Sequence, residues 1–212
     1  MTKQGDNTKN NDMNQYLKGF IMIVSGASGA GKGTVIDGLR KIRDDFVLSV
    51  STTTRPPRSE GTTGEHYQHV SEAEFQQLVS EGAFLEWAEV HGHLYGTRKD
   101  WVEEKLAEGW IVMLEIDVQG ALQIMQRKID YTSVFVTPSD RKVAHERLIS
   151  RGTDSKEDIE RRIRNSEWEF SQLNHFDYMV VNDSGKVDEA VETLSAILTA
   201  ERSRTARMIV RP

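Results

Sequence analysis

The stretch that decides the fold is Gly26-Ala27-Ser28-Gly29-Ala30-Gly31-Lys32-Gly33-Thr34. It follows a short apolar run, Phe20–Ser25, and precedes a helical pattern that sets Val35, Ile36 and Leu39 on one face. Strand, glycine-rich turn and helix in that order form a phosphate cradle. Glycines let successive backbone N–H groups point inward at an anion, and the following helix adds its positive N-terminal end. Lys32 is placed to reach the β- and γ-phosphates of a triphosphate as a point charge. The common pattern sets Ser or Thr directly after the lysine; here Gly33 intervenes and Thr34 follows. A glycine-rich turn can exist without a ligand, but here four glycines, a lysine and the strand–helix context coincide.

Outward from this loop, strands and helices alternate. Phe46–Ser51 reads as a second strand, while Thr52–His66 is rich in Thr, Gly, Pro and Arg and reads as no core element. Ser71 followed by Glu74 is a capping-box signature for a helix over about 72–80. Short strands are expected at 84–89 and around 94–95, and a helix at 101–106 that stops at Gly109. Trp110–Ile116 is a continuous apolar run, which suits a parallel strand buried on both faces. Helix, strand and helix return at 118–126, 132–136 and 140–150, then a long charged helix at 156–173, a last strand at 178–181 and a last helix at 187–204. The pattern predicts an α/β fold, a doubly wound parallel sheet flanked by helices, with an inserted unit from about 52 to 98.

The bulk numbers exclude several classes. No apolar run approaches the roughly 18–20 residues that span a bilayer. Met1–Asn14 is polar, without the apolar core of a secretory signal, and residues 1–18 read as a disordered tail. With no cysteine, disulfides and thiolate metal sites are ruled out, which fits the cytoplasm. A net charge of −6 argues against a nucleic-acid-coating protein, so neither nucleic acid nor membrane is an expected partner. His91-Gly92-His93 could suggest a metal pair, but no further cluster of ligands supports it. The basic residues Arg202, Arg204, Arg207 and Arg211 read as a solvated C-terminal end, with a tail at 206–212. A homo-oligomer stays open.

Ser51-Thr52-Thr53-Thr54-Arg55-Pro56-Pro57-Arg58 follows the second strand. Two arginines three residues apart on a proline-stiffened loop suit a phosphate clamp, because guanidinium binds phosphate bidentately. At this point the sequence resembles the guanylate kinase family from about Gly19 to Arg202. The matching blocks are residues 24–34, 49–58, 64–67, 84–97, 115–121, 147–155 and 180–183, read as VSGASGAGKGT, SVSTTTRPPR, GEHY, FLEWAEVHGHLYGT, EIDVQGA, RLISRGTDS and VVND.

The resemblance implies a phosphate-loop kinase core with a GMP-binding insertion and a lid at about 147–164. It implies phosphoryl transfer from ATP to GMP with Mg²⁺, in purine metabolism and GMP recycling. On this reading the loop Gly26, Ala27, Ser28, Gly29, Ala30, Gly31, Lys32, Gly33 and Thr34 resembles the ATP cradle, with Thr34 toward Mg²⁺ and Asn182 in the adenine-side loop. Ser51, Glu86 and Thr97 look like the guanine readers. Arg55, Arg58, Tyr67 and Tyr95 look like holders of the GMP phosphate, and Asp117 matches an acidic position near acceptor and metal. Arg147, Arg151 and Arg162 resemble the arginines over the transferring phosphate, joining Lys32 and Arg55 as the catalytic set. Glu60-Gly61 and Glu115 depart from the family's usual Gly-Glu and Asp. From alternation alone, Glu86 between Leu85 and Trp87 would be a solvent-facing strand position; the family block reverses that. The competing reading is a non-catalytic guanylate-kinase-like module that binds phosphopeptides. Lys32 and the three arginines of the ATP side favour the enzyme.

Overall fold

The computed structural model describes residues 18–57, 67–90, 92–149 and 156–208, with side chains of 148 and 156–162 outside that description. In chain order the elements are β1 (Phe20–Gly26), α1 (Lys32–Ile42), β2 (Phe46–Leu48), β3 (Ser51–Thr53), β4 (Tyr67–His69), α2 (Glu72–Ser80), β5 (Phe84–Val90) and β6 (His93–Arg98). There follow α3 (Lys99–Ala107), β7 (Ile111–Glu115), α4 (Val118–Met125), β8 (Tyr131–Thr137), α5 (Arg141–Ile149), α6 (Lys156–Ser171), β9 (Tyr178–Val181) and α7 (Val187–Arg202). A five-stranded sheet runs β2-β7-β1-β8-β9, parallel throughout, with β1 at its centre.

Alternation along β1 builds two cores at once, since successive side chains point to opposite faces. Phe20, Met22 and Val24 pack with Val35, Ile36 and Leu39 of α1 and with Leu194 and Leu198 of α7. Ile21 and Ile23 pack on the other face with Val102 of α3 and with Ala121 and Ile124 of α4. This is the helix-flanked parallel sheet that the alternating pattern predicts.

The run 46–51 is not one strand. Phe46–Leu48 pairs with β7 in the parallel sheet, whereas Ser51–Thr53 belongs to a second, four-stranded sheet of order β4-β3-β6-β5. Ser49 N–H still donates to the Met113 carbonyl at 2.9 Å, and Val50, exposed to solvent, carries the chain across. Thr52 and Thr53 are buried, contrary to the reading of that segment as outside the core. Their hydroxyl-bearing type misleads; Thr53 Oγ1 is satisfied by the Leu94 carbonyl at 2.8 Å, so its burial is tolerated. Helix α2 starts as predicted: Ser71 Oγ accepts from Glu74 N–H, and the Glu74 carboxylate accepts from Ser71 N–H.

The basic C-terminal end also differs from its expectation. Arg207 is 2% exposed. Its guanidinium pairs with Asp130 and with Glu201, donates to Thr132 Oγ1, and lies 3.7 Å from the centroid of the Phe20 ring. Charge alone suggests solvent; acids contributed by the approach to β8 and by α7 supply the partners. Burial pushes the Glu201 carboxyl up, but bonds from Tyr178 and Thr132 and the adjacent arginines hold it down at about 2. Arg207→Ala removes the buried one of Glu201's two arginine partners and leaves Asp130 and Thr132 without theirs, with Arg204 remaining at 3.1 Å on the exposed side. It is expected to cost about 3–5 kcal/mol of unfolding free energy, measured by urea denaturation at neutral pH.

Candidate functional site

The phosphate loop leaves the centre of the parallel sheet at the carboxyl end of β1, where open α/β folds bind ligands. Two glycines there have no substitute. A Cβ on Gly26 would collide with the Val136 carbonyl of β8. Gly31 has φ 81°, and its missing Cβ would lie 2.6 Å from Asn182 Nδ2. Asn182, 3% exposed, donates from Nδ2 to the Ala30 carbonyl at 2.7 Å, and its N–H donates to the Thr137 carbonyl at 2.8 Å. The residue expected beside adenine thus shapes the loop backbone. Lys32 Nζ donates to the Gly26 carbonyl at 2.9 Å, folded back across the loop. No side chain caps the start of α1, so its first-turn N–H groups have no capping partner of that kind.

Glu115, the departure at the end of β7, lies beside Gly33, the departure in the loop. Its Oε1 is 3.3 Å from the place a Cβ on Gly33 would occupy. The position after the lysine therefore faces an acid, and its lack of a side chain leaves that acid room. Thr34 instead lines a groove between α1 and α7 with Asp37, Gly38, Lys41, Val187 and Val191. Among the described residues there is no cluster of three or more His, Cys, Asp or Glu that would hold a metal unaided.

The second sheet assembles the acceptor candidates in one row. Tyr67 of β4 pairs with Ser51 of β3, Ser51 with Thr97 of β6, and Thr97 with Glu86 of β5. Residues opposite one another share a face, and Tyr95, two positions before Thr97, shares it too. Tyr67 and Tyr95 rings meet edge to face at 6.1 Å. Arg55 lies two residues past the end of β3, its N–H donating to Thr53 Oγ1 and its carbonyl 2.6 Å from His69 Nδ1. Arg58 and Arg151 lie outside the described residues, as does the side chain of Arg162. Arg147 of α5 donates to the Asn182 carbonyl and to Ser184 Oγ, at 3.1 and 3.2 Å, on the loop beyond β9.

Glu86 is 4% exposed, the opposite of what alternation predicts. A register shift between Phe84 and Glu86 is the reason. The bulge re-aims the strand, so that Phe84, Leu85 and Glu86 are all buried and Trp87 turns outward. Thr97 Oγ1 donates to Glu86 Oε1 at 2.5 Å. Burial pushes the Glu86 carboxyl up to about 7; Thr97 opposes this, and the neighbouring Asp117 carboxylate adds to it. Asp117 caps α4 by accepting from Gly120 N–H at 2.9 Å.

The sequence reading gives no role to two residues of this site, although Gly120 falls within the block 115–121. Gly120 lies inside α4, and a Cβ there would collide with Glu86 Oε2. A glycine inside a helix costs roughly 1 kcal/mol relative to alanine, and that cost is the available signal. Glu169 of α6 accepts from Ser28 N–H at 2.7 Å and from Ser28 Oγ at 3.2 Å, inside the phosphate loop. It is separated from the loop by most of the chain and stands in a charge-rich helix, so nothing local marks it.

Phosphate loop and parallel sheet define a phosphate-loop nucleotide-binding protein. The family model described as guanylate kinase matches residues 18–201. The guanylate kinase of Thermotoga maritima is 41% identical over 191 residues, covering 90% of this chain and 91% of that protein. A guanylate kinase of Thermus thermophilus is 44% identical over 192 residues, covering 91% of this chain and 86% of that protein. The crystal structure of guanylate kinase from Anaplasma phagocytophilum superposes with a TM-score of 0.71 at 30% identity, covering 92% of this chain and 91% of that one. The chain belongs to the guanylate kinase family.

A raised carboxyl makes a signed prediction. Glu86 titrates near 7 when folded and near 4.5 when unfolded, so below pH 4.5 it costs nothing, and the penalty grows as pH rises to 7. Glu86→Gln is expected to be more stable than the parent at pH 8, by about 3 kcal/mol. The gap closes by pH 4.5, and thermal unfolding across that range reads it.

Proposed function

We propose that this chain transfers the γ-phosphoryl group of ATP to GMP, giving ADP and GDP. One observation carries the acceptor's identity: a carboxylate buried at the end of a row of hydroxyls. Guanine presents N1–H and N2–H₂ side by side, and Glu86 accepts from both. Adenine offers a lone pair at N1 and no donor at C2, so it would leave the buried acid unpaired, a rejection worth factors of roughly 10⁴. Ser51 donates to O6 or N7, while Thr97, whose hydroxyl proton goes to Glu86 Oε1, orients that carboxylate. Arg55, Arg58, Tyr67 and Tyr95 hold the GMP phosphate, and Asp117 stands between acceptor and loop.

The loop from Gly26 to Thr34 holds the ATP phosphates on backbone N–H groups and the start of α1, with Asn182 fixing its shape. Lys32 leaves the Gly26 carbonyl for the β- and γ-phosphates. Arg147, Arg151 and Arg162 supply positive charge over the transferring group, which needs alignment and charge rather than a covalent intermediate. Mg²⁺ arriving with ATP neutralises phosphate charge. The hard carboxylate oxygens of Glu115, beside Gly33, suit it better than Thr34, which faces the α1–α7 groove. Closure of the second sheet toward the loop excludes water and protects ATP from hydrolysis. The reaction recycles GMP in cytoplasmic purine metabolism.

A coupled ADP-release assay with GMP, dGMP, AMP, CMP and UMP tests the reading. Turnover is expected with GMP, and a preference for AMP or a pyrimidine nucleotide would overturn it. Lys32→Ala is expected to lower kcat by about 10²-fold or more with the fold intact, since charge at the transferring phosphoryl is lost. Only ionised Glu86 accepts both guanine donors. The KM for GMP should therefore rise as pH falls below about 7, and Glu86→Gln should flatten that profile while eroding the preference for GMP.

A further inference from the structure

Glu169 occupies a place where a carboxylate needs a reason. The loop at Ser28 precedes an uncapped helix start whose N–H groups and positive end favour anions. Both oxygens of Glu169 are engaged on one residue, Oε2 by Ser28 N–H at 2.7 Å and Oε1 by Ser28 Oγ at 3.2 Å. The shorter is a charge-assisted bond, stronger than a neutral one. The next residue, Phe170, packs with Ala27 of the loop and Phe135 of β8, and the Arg141 guanidinium lies 4.9 Å from its ring centroid. Two adjacent side chains of α6, one charged and one aromatic, thus reach the same turn of the loop. Arg162 stands seven residues earlier on the same helix, so anchor and arginine belong to one element.

We propose that Glu169 is a positioning residue for ATP, holding the phosphate loop in its nucleotide-receiving shape through Ser28 and fixing helix α6 against it. It acts through Ser28 and touches no substrate. Burial pushes its carboxyl up, while the Lys32 ammonium and the Ser28 donors pull it back. Lys32 therefore feels this acid before nucleotide arrives, and Glu169 binds at Ser28, ahead of the first helical turn that receives the phosphates. The proposal rests on the ATP reading above, and it extends that reading to a residue outside the phosphate-contacting set.

The test is calorimetric titration of a non-hydrolysable ATP analogue and, separately, of GMP, with the parent chain, Glu169→Ala and Glu169→Gln, alongside thermal unfolding. Glu169→Ala is expected to weaken the ATP analogue about tenfold, the size of one lost charge-assisted bond, while GMP binding stays within about twofold. Glu169→Gln should recover to within about threefold of the parent, because the amide oxygen accepts from Ser28 N–H and its NH₂ donates to Ser28 Oγ. Unchanged analogue binding in Glu169→Ala would overturn the proposal. So would tighter binding in both variants, which would make Glu169 a competitor for the loop. Equal losses for ATP analogue and GMP, with a matching fall in unfolding temperature, would overturn it as well. A parent chain that binds GMP but not the analogue would overturn the kinase reading itself, and this proposal with it.

Discussion

All seven residues of β1 are buried, and the strand must end somewhere. A central parallel strand satisfies its own N–H and C=O groups through both neighbours, here β7 and β8. Beyond Gly26 that supply stops, while α1 has not yet begun to bond to itself. Ser28 N–H goes to Glu169 and Ala30 N–H to the Ala27 carbonyl, and the gap between the two ladders is the physical basis of the phosphate loop. Everything near it either keeps the gap open or shapes it: Gly26 passes under Val136, Gly31 passes Asn182, and the Asn182 amide fixes the Ala30 carbonyl. Hydrophobic alternation on β1 and an anion site at its end are thus one feature of the chain seen at two levels.

The second sheet solves a different problem. A carboxylate that is to recognise two adjacent N–H donors must be withheld from water, and burial of a charge is costly unless partners are provided. The structure provides one donor, Thr97, and takes away the competing bulk by placing Gly120 opposite. The rest of the demand is left to the ligand. That burial is why Glu86 titrates near 7; on the proposed reading its stability cost and its selectivity have the same origin.

How much of this is legible in residues alone depends on range. The parallel sheet, the capping box at Ser71 and the strand over 111–115 are local patterns of apolar period and turn chemistry, and each can be read. The 46–51 run misleads because no local signal says that a strand ends after Leu48 and another, in a different sheet, begins at Ser51. Glu86 defeats alternation because a bulge shifts the phase by one residue, and only the family block around it points inward. Arg207 and Glu169 escape a reading of residues for a common reason. Each is a charged residue with a partner far away in sequence: Asp130 for Arg207, and Ser28 for Glu169. Composition assigns such residues to solvent, and only tertiary structure shows the exception.

Glu86, Asp117 and Glu169 form an electrostatic sequence from acceptor row to phosphate loop. Asp117 raises the carboxyls of both others, so it stands within electrostatic reach of each. Within the chain this concentration of negative charge is offset at one end by Lys32 and weakly at the other by Arg127. Two phosphate-bearing ligands cannot enter such a field on attraction to the acids. On the proposed reading they meet positive charge from arginines around the site and from a cation carried with the triphosphate. On the same reading, discrimination at the acceptor row comes from Glu86, while the carboxylate of Glu169 is engaged by Ser28 and holds the loop's shape.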